Sequence, residues 1–246
     1  MKNRRLLILA ALILAIIGLV LWHNQSASAP SGGHDNTKSA TNTPPVQNTP
    51  TFDKTAYSTT DPASIWIVVN KQHPLNPKDY APTDLTTVGN GQYMRAEAAT
   101  ALTNMLADAK AAGFAVIPAS GYRSYITQVN VYNNEVKING QAYADTESAR
   151  PGYSEHQTGW AIDLGSGGCN ITDCFGTTQG GQWITANAYK YGFLLRYTPD
   201  KVNITGYRAE AWHFRFIGVP LATEMHNQGI ETLEEFFNIT GGTAYN

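Results

Sequence analysis

The sequence predicts an α+β domain, and the order of its hydrophobic patterns supports that prediction. Apolar residues at helical spacing come first in the folded region, and alternating patterns typical of strands predominate after them. A regular βαβ series would interleave the two patterns, so their separation indicates an α+β arrangement. The folded region spans about 180 residues, which suits one domain with a sizeable core.

The first half of this region is predicted to hold two strands and two helices. Its longest pattern repeats apolar residues at helical spacing and stops before Gly113, which favours a helix that ends there. In chain order we expect a strand at 65–70, a Pro-rich loop to residue 82, a helix at 93–112, a strand at 114–119 and a helix at 125–138.

The second half is predicted to hold strands at 160–164, 193–197 and 210–217 and helices at 183–191, 220–228 and 233–237. The last strand alternates with period two, so Glu210 and His213 would point to opposite faces if it were regular. Both side chains can serve one site only if the strand begins irregularly near Ala211. We therefore expect such an irregularity.

Two short stretches, at 154–163 and 210–213, carry the side chains of a catalytic metal site. They supply two imidazoles and one carboxylate, from His156, Asp163 and His213. A catalytic zinc site takes three protein ligands and leaves one position for water. Glu210 is a spare carboxylate beside the second imidazole, placed to take a proton from that water. The residues therefore predict a zinc hydrolase.

Each of these residues has a simpler explanation when it is taken alone. A single histidine in a strand is more often a satisfied core or surface residue than a ligand, and we assign His23, His34, His73 and His226 to that class. Asp163 alone would suit a turn or an arginine partner. The neighbouring glycines, aromatic residues and acids favour the metal interpretation for His156 and His213.

Three motifs in order give the chain its resemblance to a known family. They are Ser-Gly-Tyr-Arg-Ser at 120–124, Ser-Glu-His-Gln-Thr-Gly-Trp-Ala-Ile-Asp at 154–163 and Glu-Ala-Trp-His-Phe-Arg-Phe at 210–216. Together they resemble the zinc D-alanyl-D-alanine carboxypeptidases of the vancomycin-resistance type. That group includes the related murein L,D-carboxypeptidases, all LAS-type metallopeptidases. The similarity runs from about residue 65 to about residue 237.

The resemblance implies a fold and a set of roles. It implies a small antiparallel sheet flanked by helices, with zinc in a groove on the sheet, as in LAS and hedgehog-like peptidases. It implies that His156, Asp163 and His213 hold the zinc and that Glu210 is the catalytic base. Arg123 would face the polarised carbonyl, where its permanent charge suits a developing oxyanion. The alternative for Arg123 is a structural ion pair.

Four further residues are weaker candidates for contacts with the peptide substrate: Ser154, Gln128, Tyr153 and Trp212. Gln128 could instead face solvent on its helix. Aromatic residues near a site more often pack than recognise, so Tyr153 and Trp212 have that alternative.

The chain has two cysteines, Cys169 and Cys174, which we expect to form a disulfide in an oxidising compartment. Such a small ring gains modest loop entropy and would mainly stiffen the flank of the site. A second metal site is the alternative, and it is disfavoured because no matching pair of His or Cys residues lies nearby.

The N-terminal residues 1–23 combine a basic start with an apolar run at 6–22. We expect an uncleaved membrane anchor, with a cleaved signal as the alternative, and either places the protein outside the cytoplasm. The family resemblance implies that this location is a bacterial envelope. Residues 24–61 are rich in Ser, Thr, Asn and Pro, so we expect a disordered tether. The catalytic domain would cover 62–240 and a tail 241–246.

The predicted function is zinc-dependent removal of the terminal D-alanine from peptidoglycan stem peptides, by L,D-cleavage of tetrapeptides or D,D-cleavage of pentapeptides. The net charge of −2 gives no basic footprint for nucleic acid. We expect a monomer whose partners are the stem peptides and, through its N-terminus, the membrane. The alternatives are a non-catalytic zinc-containing module that binds the cell wall, a murein endopeptidase, and a surface adhesin.

Overall fold

A five-stranded antiparallel sheet organises the computed structural model, which describes residues 52–246. Four strands run in the order β3-β4-β7-β6, and the short β5 pairs with the end of β4. Their bounds are β3 Val116–Ser120, β4 Ala161–Ser166, β5 Cys169–Asn170, β6 Phe193–Leu195 and β7 His213–Phe216. Helices pack around this sheet, so the predicted α+β class and the small antiparallel sheet are confirmed.

The central strand β4 is buried along its whole length, and its register places the chemistry. On one side Asp163 pairs with His213 of β7, and on the other it pairs with Ser120 at the end of β3. The β3–β4 pairing shifts between Pro118 and Ser120, which marks a bulge where β3 leads into the Ser-Gly-Tyr-Arg loop.

The helices of the domain are α1 Ala96–Ala111, α2 Tyr125–Asn139, α3 Gln141–Glu147, α4 Gln179–Asn187, α5 Val202–Thr205, α6 Val219–Gln228 and α7 Leu233–Phe237. The buried face of α1 carries Ala98, Leu102, Met105 and Ala109, at the spacing of one helical stripe. Ser124 caps α2, since its Oγ accepts a hydrogen bond of 3.1 Å from the Thr127 amide.

A hairpin that the sequence analysis missed precedes α1. Its strands β1 Leu85–Gly89 and β2 Gln92–Arg95 pair antiparallel, with Asn90 at the turn in the left-handed region. Because β2 takes residues 92–95, the helix predicted at 93–112 begins at Ala96. The predicted boundary was therefore wrong, although the helix itself is confirmed.

The predicted strand at 65–70 is wrong. This apolar run is buried, but it pairs with no strand in residues 52–246 apart from a single bridge between Asn70 and His73. Instead, the carbonyl oxygens of Ile65 and Ile67 accept hydrogen bonds of 3.0 and 2.9 Å from the Arg215 guanidinium. A short apolar run signals burial without specifying which group satisfies its backbone.

The remaining elements match the prediction with shifted ends. Helices α2, α6 and α7 are confirmed, and the helix predicted at 183–191 is split into α4 and a 3-10 helix, Ala188–Tyr191. Strands β3, β4, β6 and β7 lie within or beside their predicted ranges. The short β5, α3 and α5 were missed.

Both predicted edges of the domain need correction. Phe52, placed in the tether, packs its ring 5.6 Å from that of Trp66 and 5.7 Å from that of Phe236. The tail predicted at 241–246 is also part of the domain, since the Asn246 amide donates 3.2 Å to the carbonyl oxygen of Lys71. The predicted anchor and most of the predicted tether lie outside the described residues. No helix within residues 52–246 has the length and apolarity to cross a bilayer.

Candidate active site

Three buried side chains meet at the middle of the sheet: His156, Asp163 and His213. Nε2 of His156 lies 3.2 Å from Oδ2 of Asp163, and Nδ1 of His213 lies 3.1 Å from its Oδ1. One ligand atom from each residue falls within 4.8 Å of the others. The structure therefore brings together the three residues that the sequence predicted as ligands.

Local structure explains how residues seven positions apart converge. His156 lies in the 3-10 helix Glu155–Thr158, which ends at Gly159 with a left-handed φ of 74°. Glycine is required there, because a side chain would be strained and would also meet the Arg95 side chain. The chain then turns into β4, which carries Asp163, so the predicted strand position of this aspartate is confirmed.

Hydrogen bonds from the far side fix which nitrogen of each ring faces Asp163. Nδ1 of His156 lies 2.8 Å from the carbonyl oxygen of Gly121, and Nε2 of His213 lies 3.2 Å from Oε2 of Glu155. A carbonyl or a carboxylate can only accept, so each of these nitrogens carries a hydrogen. In the neutral form of each ring the other nitrogen therefore directs its lone pair toward Asp163, as ligands of one metal ion must.

The electrostatics of the group fit a divalent cation. Oδ1 of Asp163 is buried, and no group in residues 52–246 is aligned to hydrogen-bond it. Burial lowers the pKa of His156 to about 4, which keeps its ring neutral and able to bind metal. Burial acts the same way on His213, but the carboxylates of Asp163 and Glu155 raise its pKa to about 9. Carboxylates that attract a proton so strongly would also attract a metal cation.

Glu210 lies in the turn that leads into β7, not in the strand. The His213 amide donates 3.1 Å to the Glu210 carbonyl oxygen, and Oε2 of Glu210 lies 3.5 Å from Nδ1 of His213. The predicted irregular start of this strand is therefore confirmed. Burial raises the pKa of Glu210 to about 7, against the opposing effect of nearby His213.

Arg123 approaches the same group from the loop after β3. Its Nη2 lies 3.8 Å from Oδ2 of Asp163, and its Nη1 donates 3.1 Å to Oε1 of Gln128. The loop itself needs Gly121, since a Cβ there would collide with the carbonyl oxygen of Tyr93. The missed β1–β2 hairpin thus helps to place Arg123, as the Tyr122 amide donates 2.7 Å to that same oxygen.

One pocket opens onto these groups, and its walls include Arg123, Gln128, Glu147, Ser148, Ser154, His156, Tyr197, Tyr207, Glu210 and His213. Ser154 lies on the pocket wall, and its contact with the substrate stays a prediction. Tyr153 and Trp212 instead pack elsewhere within residues 52–246: the Tyr153 ring contacts Tyr245, and Trp212 lies beneath the Arg208 guanidinium.

Gln128 is buried and does not face solvent. Its Nε2 donates 2.7 Å to the carbonyl oxygen of Ala149 and 3.2 Å to Oγ of Ser148, while its Oε1 accepts from Arg123. The side chain thus orients Arg123 and ties it to the chain after α3. These hydrogen bonds explain why a glutamine can lie on the buried face of α2, because a buried amide without partners would be destabilising.

Three buried residues that were not predicted lie behind His213: Glu155, Arg196 and Arg215. Arg196 Nε and Arg215 Nη1 donate to Oε1 of Glu155 at 2.8 and 3.0 Å. A signal for Arg215 was present, because alternation in β7 places it on the same face as His213. Tyr197 and Tyr207, which form walls of the pocket, left no comparable signal.

The predicted disulfide between Cys169 and Cys174 is present, with Cα atoms 5.6 Å apart. It closes the loop after β4 and holds Asp173, whose Oδ1 lies 3.2 Å from Arg208 Nη1. Arg208 also forms an ion pair with Glu147 on the pocket wall. The ring is thereby connected to the pocket through one arginine.

The geometry defines the class of this protein: two imidazoles and one carboxylate, buried at the base of a pocket, are the donor set of a zinc metallopeptidase. The family model for VanY D-alanyl-D-alanine carboxypeptidase matches residues 91–219. The chain belongs to this family, as the three motifs predicted.

Curated relatives agree. The chain is 41% identical over 188 residues to the putative carboxypeptidase YodJ of Bacillus subtilis (strain 168), covering 72% of this chain and 68% of that protein. It is 36% identical over 181 residues to a D-alanyl-D-alanine carboxypeptidase of Enterococcus faecalis (strain ATCC 700802 / V583), covering 70% of this chain and 65% of the relative.

Solved structures give the same family. The LdcB LD-carboxypeptidase superposes with a TM-score of 0.67 at 40% identity, over 73% of this chain and 88% of that chain. The vancomycin-resistance D,D-pentapeptidase VanY, as a mutant in complex with Zn(II), superposes with a TM-score of 0.62 at 34% identity, over 70% of this chain and 98% of that chain.

Proposed function

We propose that this chain is a zinc-dependent carboxypeptidase that removes the terminal D-alanine from peptidoglycan stem peptides. The observation that carries the proposal is the joint opening of His156, His213, Glu210 and Arg123 onto one pocket, with Asp163 buried beneath. A metal group, a free carboxylate and a permanent cation at one surface are what amide hydrolysis needs. The substrate class is inferred from the relatives, which include D-alanyl-D-alanine carboxypeptidases and an LD-carboxypeptidase.

His156, Asp163 and His213 would hold the zinc, which when bound polarises the scissile carbonyl and lowers the pKa of water. Glu210 accepts the proton of the attacking water and later donates it to the leaving amine. Its carboxylate suits this role because it lies on the pocket wall, with Oε2 3.5 Å from Nδ1 of His213 and no hydrogen bond to any of the three proposed ligands.

Arg123 stabilises the negative charge that develops on the carbonyl oxygen. Its guanidinium stays charged even when buried, so it can act without a proton transfer. Gln128 acts through Arg123: it holds one end of the guanidinium and leaves the other directed toward Asp163. This is a positioning role, and it replaces the substrate contact predicted for Gln128.

Ser154 and the neighbouring walls would receive the terminal residue. The Ser154 side chain lies on the pocket wall beside His156, where its hydroxyl can donate to a carboxylate. Tyr197 and Tyr207 bound the same space with their rings. These features suit a small residue with a charged end.

L,D-cleavage of tetrapeptides is the activity we favour within this class. The solved LD-carboxypeptidases LdcB and DacB share 40% and 37% of their residues with this chain, whereas VanY shares 34%. D,D-cleavage of pentapeptides uses the same metal chemistry and is the competing outcome.

The protein would act outside the cytoplasm as a monomer, anchored by residues 1–23 or released after their cleavage. Support comes from the apolar run at 6–22 and from the disulfide, because disulfides persist in oxidising compartments. A non-catalytic wall-binding module is disfavoured, since such a module has no use for a free Glu210 on the pocket wall.

The test supplies the zinc-loaded protein with a stem tetrapeptide, a pentapeptide and cross-linked murein in three separate reactions and follows released D-alanine and murein fragments by mass spectrometry. Release from the tetrapeptide alone supports the L,D assignment, and release from the pentapeptide that stops at the tetrapeptide makes it a D,D-carboxypeptidase. Cleavage only of cross-linked murein would make it an endopeptidase. Intact peptides in all three reactions, with zinc bound, would refute a catalytic function.

A further inference from the structure

Glu155 occupies the centre of a buried ion network behind the proposed metal group. One of its oxygens, Oε2, lies 3.2 Å from Nε2 of His213. The other, Oε1, accepts hydrogen bonds from Arg196 and Arg215 at 2.8 and 3.0 Å. The carboxylate is thus shared between one proposed ligand and two guanidinium groups.

The two arginines are themselves held on several sides. Arg196 makes a two-point contact with Glu234, at 2.9 and 2.7 Å, and Arg215 donates to the carbonyl oxygens of Ile65 and Ile67. The network contains two cations and two carboxylates, so its formal charges balance. The Glu155 carboxylate therefore cannot move without leaving a buried charge unpaired.

A buried network of this kind needs an explanation other than stability. Removing four charges from water carries a large desolvation cost, and apolar residues of similar volume often stabilise a core equally well. Of the four side chains of the network, however, only that of Glu155 hydrogen-bonds a proposed ligand within residues 52–246. Its position suggests that the benefit is orientation of His213.

We infer that Glu155 is a positioning residue for zinc binding: it holds the hydrogen of His213 on Nε2 and directs the Nδ1 lone pair toward Asp163. A carboxylate that accepts from the far nitrogen of a ligating histidine fixes its tautomer and increases its basicity. The inference rests on the proposed zinc site, because it concerns how one of the three ligands is presented.

The chain offers a matched control in Glu234. Both glutamates are 2% exposed and both accept from Arg196, but Glu234 bonds to Asn70 where Glu155 bonds to His213. Glu155→Gln and Glu234→Gln each remove one negative charge from the same network. A purely structural role predicts equal effects, whereas a positioning role predicts that zinc binding distinguishes them.

The experiment measures the zinc dissociation constant of the folded protein by competition with a chromogenic chelator, and the Tm of the metal-free protein by circular dichroism. Both glutamine variants should lower the Tm. Only Glu155→Gln should weaken zinc binding, by about 10- to 100-fold. Equal zinc affinity in the two variants would overturn the inference.

Two further outcomes remain interpretable. If Glu155→Gln does not fold, Glu155→Asp keeps the charge for both arginines but withdraws the carboxylate from His213 by one methylene. It should then fold and bind zinc more weakly, and wild-type affinity in it would overturn the inference. If the wild-type protein itself binds no zinc, the proposed function fails, and not merely the role of Glu155.

Discussion

Asp163 and His213 face each other across the two central strands, with Oδ1 and Nδ1 3.1 Å apart. Two of the three proposed ligands therefore depend on the register between β4 and β7. A slip of one residue in that pairing would turn one of the two side chains to the opposite face of the sheet. The geometry of the site therefore depends on the register of the sheet, and the predictions about its residues assume an intact fold.

Glu210→Ala should retain zinc and lose hydrolysis. The side chain lies 3.5 Å from His213 and takes no part in holding Asp163, so the proposed ligands stay in place. Loss of a general base lowers turnover by roughly 100- to 10,000-fold. D-alanine release and zinc content, measured on the same sample, check this prediction. The exposed Glu97→Ala is the control, and near wild-type turnover in Glu210→Ala would contradict the assigned role.

Arg123→Lys should lower kcat by about 100- to 1,000-fold, since a lysine cannot present the same planar pair of donors to the oxyanion. Gln128→Leu should lower kcat by less than Arg123→Lys does. The variant keeps the charged Arg123 and loses only the side chain that orients its guanidinium. Steady-state kinetics on one substrate separate kcat from KM. A Gln128→Leu variant that changes KM alone would instead support a direct substrate contact.

The metal ligands were predictable because their motifs are local in sequence, and the irregular start at Glu210 followed from the period of the strand. Glu155 lay inside one of those motifs, but its role depends on Arg196, which is 41 residues away. The hairpin before α1 was missed because Met94 continues the helical apolar pattern while its backbone pairs in β2. The role of Glu155 and the hairpin were both missed because they depend on contacts between residues distant in sequence, which a local pattern does not show.

Cys169→Ser combined with Cys174→Ser should lower the free energy of unfolding by about 2 kcal/mol, the value expected for so small a ring. It should also raise KM, because Asp173 in that ring holds Arg208, which in turn pairs with Glu147 on the pocket wall. Urea unfolding and steady-state kinetics measure the two effects. A loss of stability with unchanged KM would show that the ring does not reach the pocket.

Asp145→Asn should lower the free energy of unfolding at pH 7. The difference in this free energy between wild type and variant should become smaller in acid. Burial alone would raise the pKa of Asp145, but hydrogen bonds from Arg150 and Tyr132 lower it. A lowered pKa contributes stability above the unfolded value of about 3.9, and this is lost as the pH falls through the folded value.

Urea unfolding of wild type and Asp145→Asn at pH 7 and pH 3 measures that difference. We expect about 1 kcal/mol at pH 7, because the pair is partly exposed, and less at pH 3. A difference that is constant or larger in acid would show that the ion pair with Arg150 is not its source.

A zinc titration measures whether the release of D-alanine depends on the metal. The protein is stripped with a chelator, and D-alanine release from a stem tetrapeptide and from a pentapeptide is measured as zinc is added back. We predict no release without metal, full recovery near one zinc per chain, and no recovery in Asp163→Asn. Release from the stripped protein, or full recovery in Asp163→Asn, would show that hydrolysis does not depend on zinc held by these three residues.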